Sequence, residues 1–564
     1  MDGQESYTKV DTGKGEIKFQ TIPEYLKFNS ENNPDGEAFV FASVDEPWQR
    51  ITWSELYSKT CATAKGFVAN GLKPKEIVAI NLRVCPEWLY ATYGAVMAGG
   101  IPCGISFTYM DGGDLVAMME RLKTCSFLVM DPGYDGVNWK IAKNQLDEFS
   151  LDGTAKSKSM PYLRRLFGVG KVDDKDWSTV KSLDDIMEQD IRVALPTIKS
   201  TDIIGLFQTS GSTGIPKLIP YTHNMVIMMT SEALTELYEE KMFNDRPFNW
   251  IGGYAGQHIV TGYTRVTISG FSSKPVDYGA FVLDVIVSEK CTIIFALPPF
   301  VEELRQKQEQ ILLPSDWPVT KIITGGQPIT KRIAAVVGKA CTTLYCAYGI
   351  SECFAVSLAR VNDADNFAEY GCGKLLSLPG IEAKIVDEAG NTVPINTRGE
   401  LYVRSPIMFK GYFNDEEKTR KVFTADRWYK SDDLGRMNRN GELFMEGRKS
   451  NMILSGGFNV APEIMEMAMK TFPGILQVVI VPIPDEVLYQ VLCACVLTQP
   501  EVDVTEEQLR KQCEEFYADK RGLYTVLPKF YIFFKKFPLL STGKVNRKEL
   551  EKIANENFSQ ESKD

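Results

Sequence analysis

The chain has 564 residues, a formal net charge of −10, 44% hydrophobic residues and 24% charged residues. That length exceeds what one hydrophobic core serves, so two to four domains or subdomains are expected, and the negative balance disfavours a nucleic-acid partner, whose phosphates need a basic surface. Two histidines argue against a histidine-rich metal site, and twelve cysteines without a CxxC pair fit reduced thiols better than a disulfide framework.

The N-terminal stretch MDGQESYTKVDTGKGEIKF is polar and carries no signal-peptide core. No apolar run reaches the ~20 residues that span a bilayer. The terminal SQESKD lacks the peroxisomal Ser-Lys-Leu ending, so a cytoplasmic location is the expectation. Short apolar runs then recur along the chain: EIVAINL (Glu76 to Leu82), SFLVMD (Ser126 to Asp131), DIIGLF (Asp202 to Phe207), CTIIFALP (Cys291 to Pro298) and KIITGG (Lys321 to Gly326). They are apolar on both faces and alternate with helical patterns such as LVAMMERLKT, which predicts an α/β architecture of parallel β-sheets covered by helices. Beyond about residue 375, IEAKIVDEAGN and GELYVRSP alternate apolar with polar residues and break at Gly or Asn, as antiparallel strands do. From about residue 449 the strands LQVVIVPIP and VLCACVLT and the helix TEEQLRKQCEEFYAD predict a small α+β domain.

The stretch QTSGSTGIPKLIPYTHNM (residues 208 to 225) follows the apolar strand DIIGLF and precedes a predicted helix. Glycines let backbone N–H groups approach a phosphate, hydroxyls add donors, a helix N-terminus adds positive potential, and Lys217 adds a charge. A plain Gly/Ser linker would lack the entering strand and the stiffening Pro216. A Walker loop is excluded, because Pro216 precedes Lys217 and Leu218 follows it.

TSGSTGIPK resembles the signature loop of the adenylate-forming superfamily: acyl-CoA synthetases, insect luciferases and the adenylation domains of peptide synthetases. Further segments resemble that family in its order: CPEWLYATYGAVMAGGIPCGI (85–105), ITGGQPI (323–329), YGISE (348–352), GELYVRSPIMFKGYFND (399–415), WYKSDDLG (428–435), EGRKSNMILSGGFNVAP (446–462) and STGKVNRKEL (541–550). The resemblance spans roughly residues 20 to 555. It implies a large N-terminal adenylation region with a small β-barrel-like subdomain (1–446), a hinge (447–450), and a mobile C-terminal domain (451–564).

The family makes an acyl-AMP from a carboxylate and ATP. Charge concentrates at the α-phosphate, so cations and N–H donors carry the catalysis. By resemblance, Thr209, Ser210, Gly211, Ser212, Thr213, Gly214 and Lys217 hold the β- and γ-phosphates. Gly325, Gly326, Gln327, Tyr348, Gly349 and Ser351 lie in the segments around adenine and Mg²⁺. Glu352 holds Mg²⁺, an ion bound through one or two carboxylates plus phosphates. Asp433 takes the ribose hydroxyls, Arg448 contacts the ribose and phosphate side, and Lys544 bridges the carboxylate and α-phosphate. Ser450 is the hinge, and Gly456 and Gly457 flank the tunnel for coenzyme A.

Four positions depart from the family pattern: Asp432 stands where Gly is usual, Ser450 where Lys or Asp is usual, and Ile464 where Glu is expected. In place of the family's pocket histidine, FNWIGGYAGQH offers Gly252 or Gly253. His258 lies too far along to substitute, and His223 is read as a packing residue. The acyl pocket is expected to be lined by Trp250, Gly252, Gly253 and Tyr254, with the FALPP strand end and TGGQP. Glycines leave room there, and the aromatic neighbours suggest an apolar acid. An amino-acid substrate is disfavoured, because NWIGGYAG offers no Asp for an α-ammonium. The reading is an ATP-, Mg²⁺- and coenzyme A-dependent acyl-CoA synthetase for a medium-chain fatty or aryl acid. A luciferase-type oxidation of the adenylate and a non-catalytic relative are the alternatives.

Overall fold

The computed structural model describes residues 5–11, 17–107, 110–189, 191–209, 216–230, 241–273, 275–309, 313–378, 380–449, 452–460, 462–499, 502, 504–518, 526–538 and 545–558. The apolar runs form strands buried along their length, and Cys125–Met130 and Ile77–Asn81 expose no residue. Continuous burial of this kind needs helices on both faces, as parallel sheets require.

One sheet has six strands, in the order Lys217–Thr222, Ile203–Thr209, Ile101–Gly104, Ile77–Asn81, Cys125–Met130 and Arg165–Gly168. It is parallel apart from the Ile203–Thr209/Lys217–Thr222 pair. A second sheet has fourteen strands. Its parallel half runs from Glu37–Ala42 through Thr264–Ile268, Lys241–Phe243, Ile293–Phe295 and Lys321–Gly325 to Thr343–Ile350. From there it continues without a break into antiparallel strands, through Phe354–Val361 and Gly371–Leu375 to Leu443–Arg448, Tyr429–Met437, Gly399–Arg404, Glu382–Val386 and Tyr7–Lys9. Tyr429–Met437 alternates buried and half-buried residues, the period-two signature of a sheet with one wet face. The C-terminal part is a three-stranded sheet, Ile475–Asp485, Tyr489–Thr498 and Pro528–Phe534, packed with Pro462–Met469 and Arg547–Phe558.

Among the described residues no helix is long and apolar enough to cross a membrane. All twelve cysteines are free thiols, and Cys61 alone is not buried.

His223 is fully buried at the start of the helix His223–Met228, where its Nδ1 accepts the Ile22 N–H at 3.0 Å. Burial pushes its pKa down to about 4. The folded value lies below the unfolded value of about 6.5, so the neutral ring contributes stability above pH ~6.5 that is lost as pH falls towards 4. The full loss is on the order of 3 kcal/mol. We expect His223→Gln, which keeps an acceptor for the Ile22 N–H, to flatten urea midpoints across that window. Parallel acid loss in variant and wild type would acquit His223.

Candidate active site

The Gly/Ser-rich loop expected to hold phosphates, residues 210–215, lies outside the described residues, but its two ends are fixed. Thr209 pairs with Lys217 in an antiparallel register, so a strand leaves the loop and the helix begins only at His223. This corrects the strand–loop–helix reading, and with it any helix-dipole contribution at the loop. The reason is local: Leu218, Ile219 and Tyr221 are buried against the sheet, and Pro220 is tolerated because this strand is the sheet's edge.

Beside the loop lies a cavity of about 610 Å³. Thr209, Lys217, Trp250, Gly326, Gln327, Tyr348, Gly349, Ser351, Glu352, Asp433 and Gly457 all line it. Three elements supply the chemistry: the strand after the loop gives Lys217, the end of Thr343–Ile350 and the turn beyond give Tyr348 to Glu352, and Tyr429–Met437 gives Asp433.

Asp433 is 7% exposed, accepts the Tyr348 hydroxyl on Oδ2 at 2.7 Å, and donates its N–H to Ser431 Oγ at 3.0 Å. Its backbone faces Arg448 across the strand pair; the Arg448 side chain lies outside the description. Glu352 is 8% exposed, and its Oε1 accepts the Tyr412 hydroxyl at 2.7 Å. That hydroxyl also meets Lys217 Nζ at 3.4 Å, and the ammonium stands 4.9 Å from the ring centroid. Burial and the Glu352 carboxylate hold the Tyr412 hydroxyl far above the ordinary tyrosine range, so it stays a proton donor. Thr209 Oγ1 is buried without a hydrogen-bond partner among the described residues. The Glu352 carboxylate beside the Tyr412 hydroxyl is an oxygen donor set of the kind that fits Mg²⁺ held jointly with phosphates.

Four carboxylates (Glu352, Glu400, Asp432, Asp433) and four lysines (Lys217, Lys421, Lys430, Lys449) line the cavity, and Lys449 pairs with Glu400 at 3.0 Å. Asp432 has φ +62°, the left-handed region where glycine costs least, which explains why a glycine suits this position. If this cavity takes ATP as the family resemblance implies, Asp432→Gly should lower KM for ATP roughly threefold at low salt, by removing a like charge from the cavity wall. An unchanged KM would remove that electrostatic role.

Gly325 does not line the cavity. A Cβ there would fall 2.3 Å from the Ala347 carbonyl, so its glycine answers strand packing. Gly252, Gly253 and Tyr254 also miss the cavity, contrary to the expected pocket wall, whereas Trp250, Ile251 and the TGGQP residues Gly326, Gln327 and Pro328 reach it. The fully buried Arg265 is the reason, since its guanidinium donates to the carbonyls of Asn244, Arg246 and Gly253 and closes that turn. Tyr254 packs instead against Phe207 and lines a void of about 20 Å³.

The turn Gly456–Gly457 joins Ile453–Ser455 to Phe458–Val460 and docks on the large region. Gly457 lines the large cavity, whereas Gly456 lines a second, apolar one of about 320 Å³ with Phe295, Leu297, Phe300 and Leu488. Ser455 Oγ, buried and unpartnered, faces this second cavity. Gln327 Nε2 donates to the Val487 carbonyl at 2.9 Å, and Arg332 pairs with Glu486 at 2.9 Å, linking the C-terminal part to the Gln327 wall of the large cavity. Lys544 and Ser450 lie outside the described residues. Tyr412, Glu400 and Lys449 were not singled out by sequence, although Tyr412 and Glu400 stand inside the quoted segment GELYVRSPIMFKGYFND and Lys449 inside EGRKSNMILSGGFNVAP.

Residues 26–413 match the AMP-binding enzyme family, and residues 465–544 match the AMP-binding enzyme C-terminal domain. A mitochondrial medium-chain acyl-CoA ligase of Danio rerio is 26% identical over 559 residues, covering 95% of this chain and 88% of that one. A putative acyl-CoA synthetase of Bacillus subtilis is 25% identical over 567 residues, covering 96% and 99%. Among solved structures, an amide bond synthetase of Marinactinospora thermotolerans has the same fold, with a TM-score of 0.73 at 20% identity over 94% of this chain and 99% of that one. With both family matches in chain order and together covering most of its length, the chain belongs to the AMP-binding enzymes, the adenylate-forming ligases.

Proposed function

We propose that the protein is an AMP-forming acyl-CoA ligase acting on a medium-chain fatty or aryl carboxylic acid. The observation that carries this reading is the shared turn. Gly457 closes the cavity of Lys217, Glu352 and Asp433, while Gly456 opens onto an adjoining apolar cavity. One room suits ATP and the acid, and the other suits an extended thiol.

In the first half-reaction a carboxylate oxygen attacks the α-phosphorus and the bond to pyrophosphate breaks. Asp433 anchors the ribose, Arg448 and Lys217 hold phosphate charge, and Glu352 holds Mg²⁺. Bound there, the ion would neutralise charge growing on the phosphate oxygens. Lys544 supplies the ammonium between carboxylate and α-phosphate. In the second half-reaction the thiol sulfur attacks the acyl carbonyl and AMP leaves. The C-terminal domain turns about residues 447–450, at Ser450, between the two steps. The medium-chain name of the Danio rerio relative and the apolar Trp250 and Ile251 on the cavity wall support the acid class.

The test is to incubate the purified protein with ATP, Mg²⁺, coenzyme A and a panel of carboxylic acids, following AMP and thioester by mass spectrometry. Equimolar AMP and thioester from a medium-chain or aryl acid is the expected result. An acyl-AMP that never becomes a thioester would overturn the coenzyme A step, and no AMP from any acid would overturn the ligase reading.

A further inference from the structure

Residues 412–415 grip the exit of the phosphate loop at successive positions. The Phe413 N–H donates to the Leu218 carbonyl at 2.8 Å. Asp415 Oδ2 accepts from Arg121 at 2.9 Å, and the same guanidinium donates to the Pro216 carbonyl at 2.7 Å. Asn414 Nδ2 closes the ring on the Arg121 carbonyl at 3.1 Å. Tyr412 begins this grip, with its N–H on Thr419 Oγ1 at 2.9 Å and its ring edge-on to Phe409 at 4.9 Å. The Phe409 N–H in turn donates to the Glu352 carbonyl at 2.9 Å. Tyr412 is therefore fixed to the Lys217 strand on one side and to the backbone of Glu352 on the other, and it is 5% exposed.

Its hydroxyl stands between an ammonium and a carboxylate, the two groups most prone to collapse on each other in a half-buried site. A hydroxyl has one proton and two lone pairs. The proton goes to Glu352 Oε1, so Lys217 can approach only a lone pair, and it does so from 3.4 Å and over the ring. A direct Lys217–Glu352 pair would occupy the carboxylate that a cation needs and the ammonium that a phosphate needs. It would have to be broken, in a site of low dielectric, before either ligand bound.

We infer that Tyr412 is a positioning residue: its hydroxyl is a spacer that keeps Lys217 and Glu352 apart in the empty site, so that each meets the metal–nucleotide unpaired. This rests on the reading that assigns Lys217 to phosphate and Glu352 to the cation. A tyrosine with a merely structural role predicts something different, since its loss would lower stability and leave nucleotide affinity to follow.

The test compares wild type, Tyr412→Phe, Glu352→Gln and the double variant. Mn²⁺·ATP binding is measured by calorimetry, melting temperature without ligand by scanning fluorimetry, and ATP–pyrophosphate exchange as a function of Mg²⁺. The expected result is a roughly 10-fold weaker Mn²⁺·ATP affinity for Tyr412→Phe, the scale of one hydrogen bond to a charged group. Half-saturating Mg²⁺ should rise by a similar factor, with a ligand-free melting temperature equal to or above wild type. In the Glu352→Gln background, adding Tyr412→Phe should change affinity less than twofold, because the pair it prevents no longer exists. Wild-type affinity in Tyr412→Phe, with Glu352→Gln weakened, overturns the spacer alone. A fall in melting temperature that accounts for the lost affinity, or additive losses in the double variant, overturns it as well. Wild-type affinity in both single variants overturns the site reading beneath it.

Discussion

Asp433→Ala should lower kcat/KM for ATP in pyrophosphate exchange by at least 100-fold. The carboxylate is nearly buried and already oriented, by its own N–H on Ser431 Oγ and by the Tyr348 hydroxyl on Oδ2. In the proposed reading it accepts two ribose hydroxyls. Hydrogen bonds to a charged group contribute about 1.5–3 kcal/mol each, so losing both costs roughly 10²- to 10⁴-fold. Asp433→Asn keeps the shape but turns one acceptor into a donor, and should recover little. A kcat/KM for ATP within threefold of wild type in the alanine variant would take the ribose away from Asp433.

Gly456→Val should separate the two half-reactions. Gly456 has φ +57°, and a Cβ built there meets Leu488 Cδ2 and Pro299 Cγ, both at 3.2 Å. A β-branched residue pays about 1–2 kcal/mol for the left-handed backbone, and its methyls enter the 320 Å³ cavity. Thioester formation from preformed acyl-AMP, measured in a single turnover, should slow by at least 100-fold while pyrophosphate exchange stays within about threefold. Equal losses in both assays would remove Gly456 from the thiol path.

The apolar runs read from the sequence appear as the strands Ile77–Asn81, Cys125–Met130, Ile203–Thr209, Ile293–Phe295 and Lys321–Gly325, because burial on both faces leaves an unbroken apolar signature. The segment after Lys217 was less readable. A proline in a short amphipathic run says turn or helix entry, and only the neighbouring sheet reveals an edge strand. The closed turn at Gly252 and Gly253 depends on Arg265, an arginine buried by backbone carbonyls, which no periodicity announces. Tyr412 illustrates the same limit: it lies 60 residues from Glu352 and 195 from Lys217, and a contact at that separation is written in the fold rather than in any local pattern. Lys217, Glu352 and Asp433, which line the large cavity, were legible as motifs, whereas the cavity-lining pair Glu400 and Lys449 and the Tyr412 that holds Glu352 were not.

The fourteen-stranded sheet also sets a timetable. Its first strand in sequence, Tyr7–Lys9, lies at one edge and pairs only with Glu382–Val386, with the Tyr7 hydroxyl reaching Glu382 across 375 residues. Glu37–Ala42 belongs near the opposite edge of the same sheet and waits for Thr264–Ile268. At ribosomal speeds of about 5–20 residues per second, a gap of 375 residues is roughly 20–75 seconds during which the earliest strand has no partner. Leu443–Arg448, in the middle of the sheet order, arrives later still. The large region therefore closes late in synthesis, the small C-terminal sheet emerges after it, and the nascent chain carries unpaired strand edges while the large region is being made.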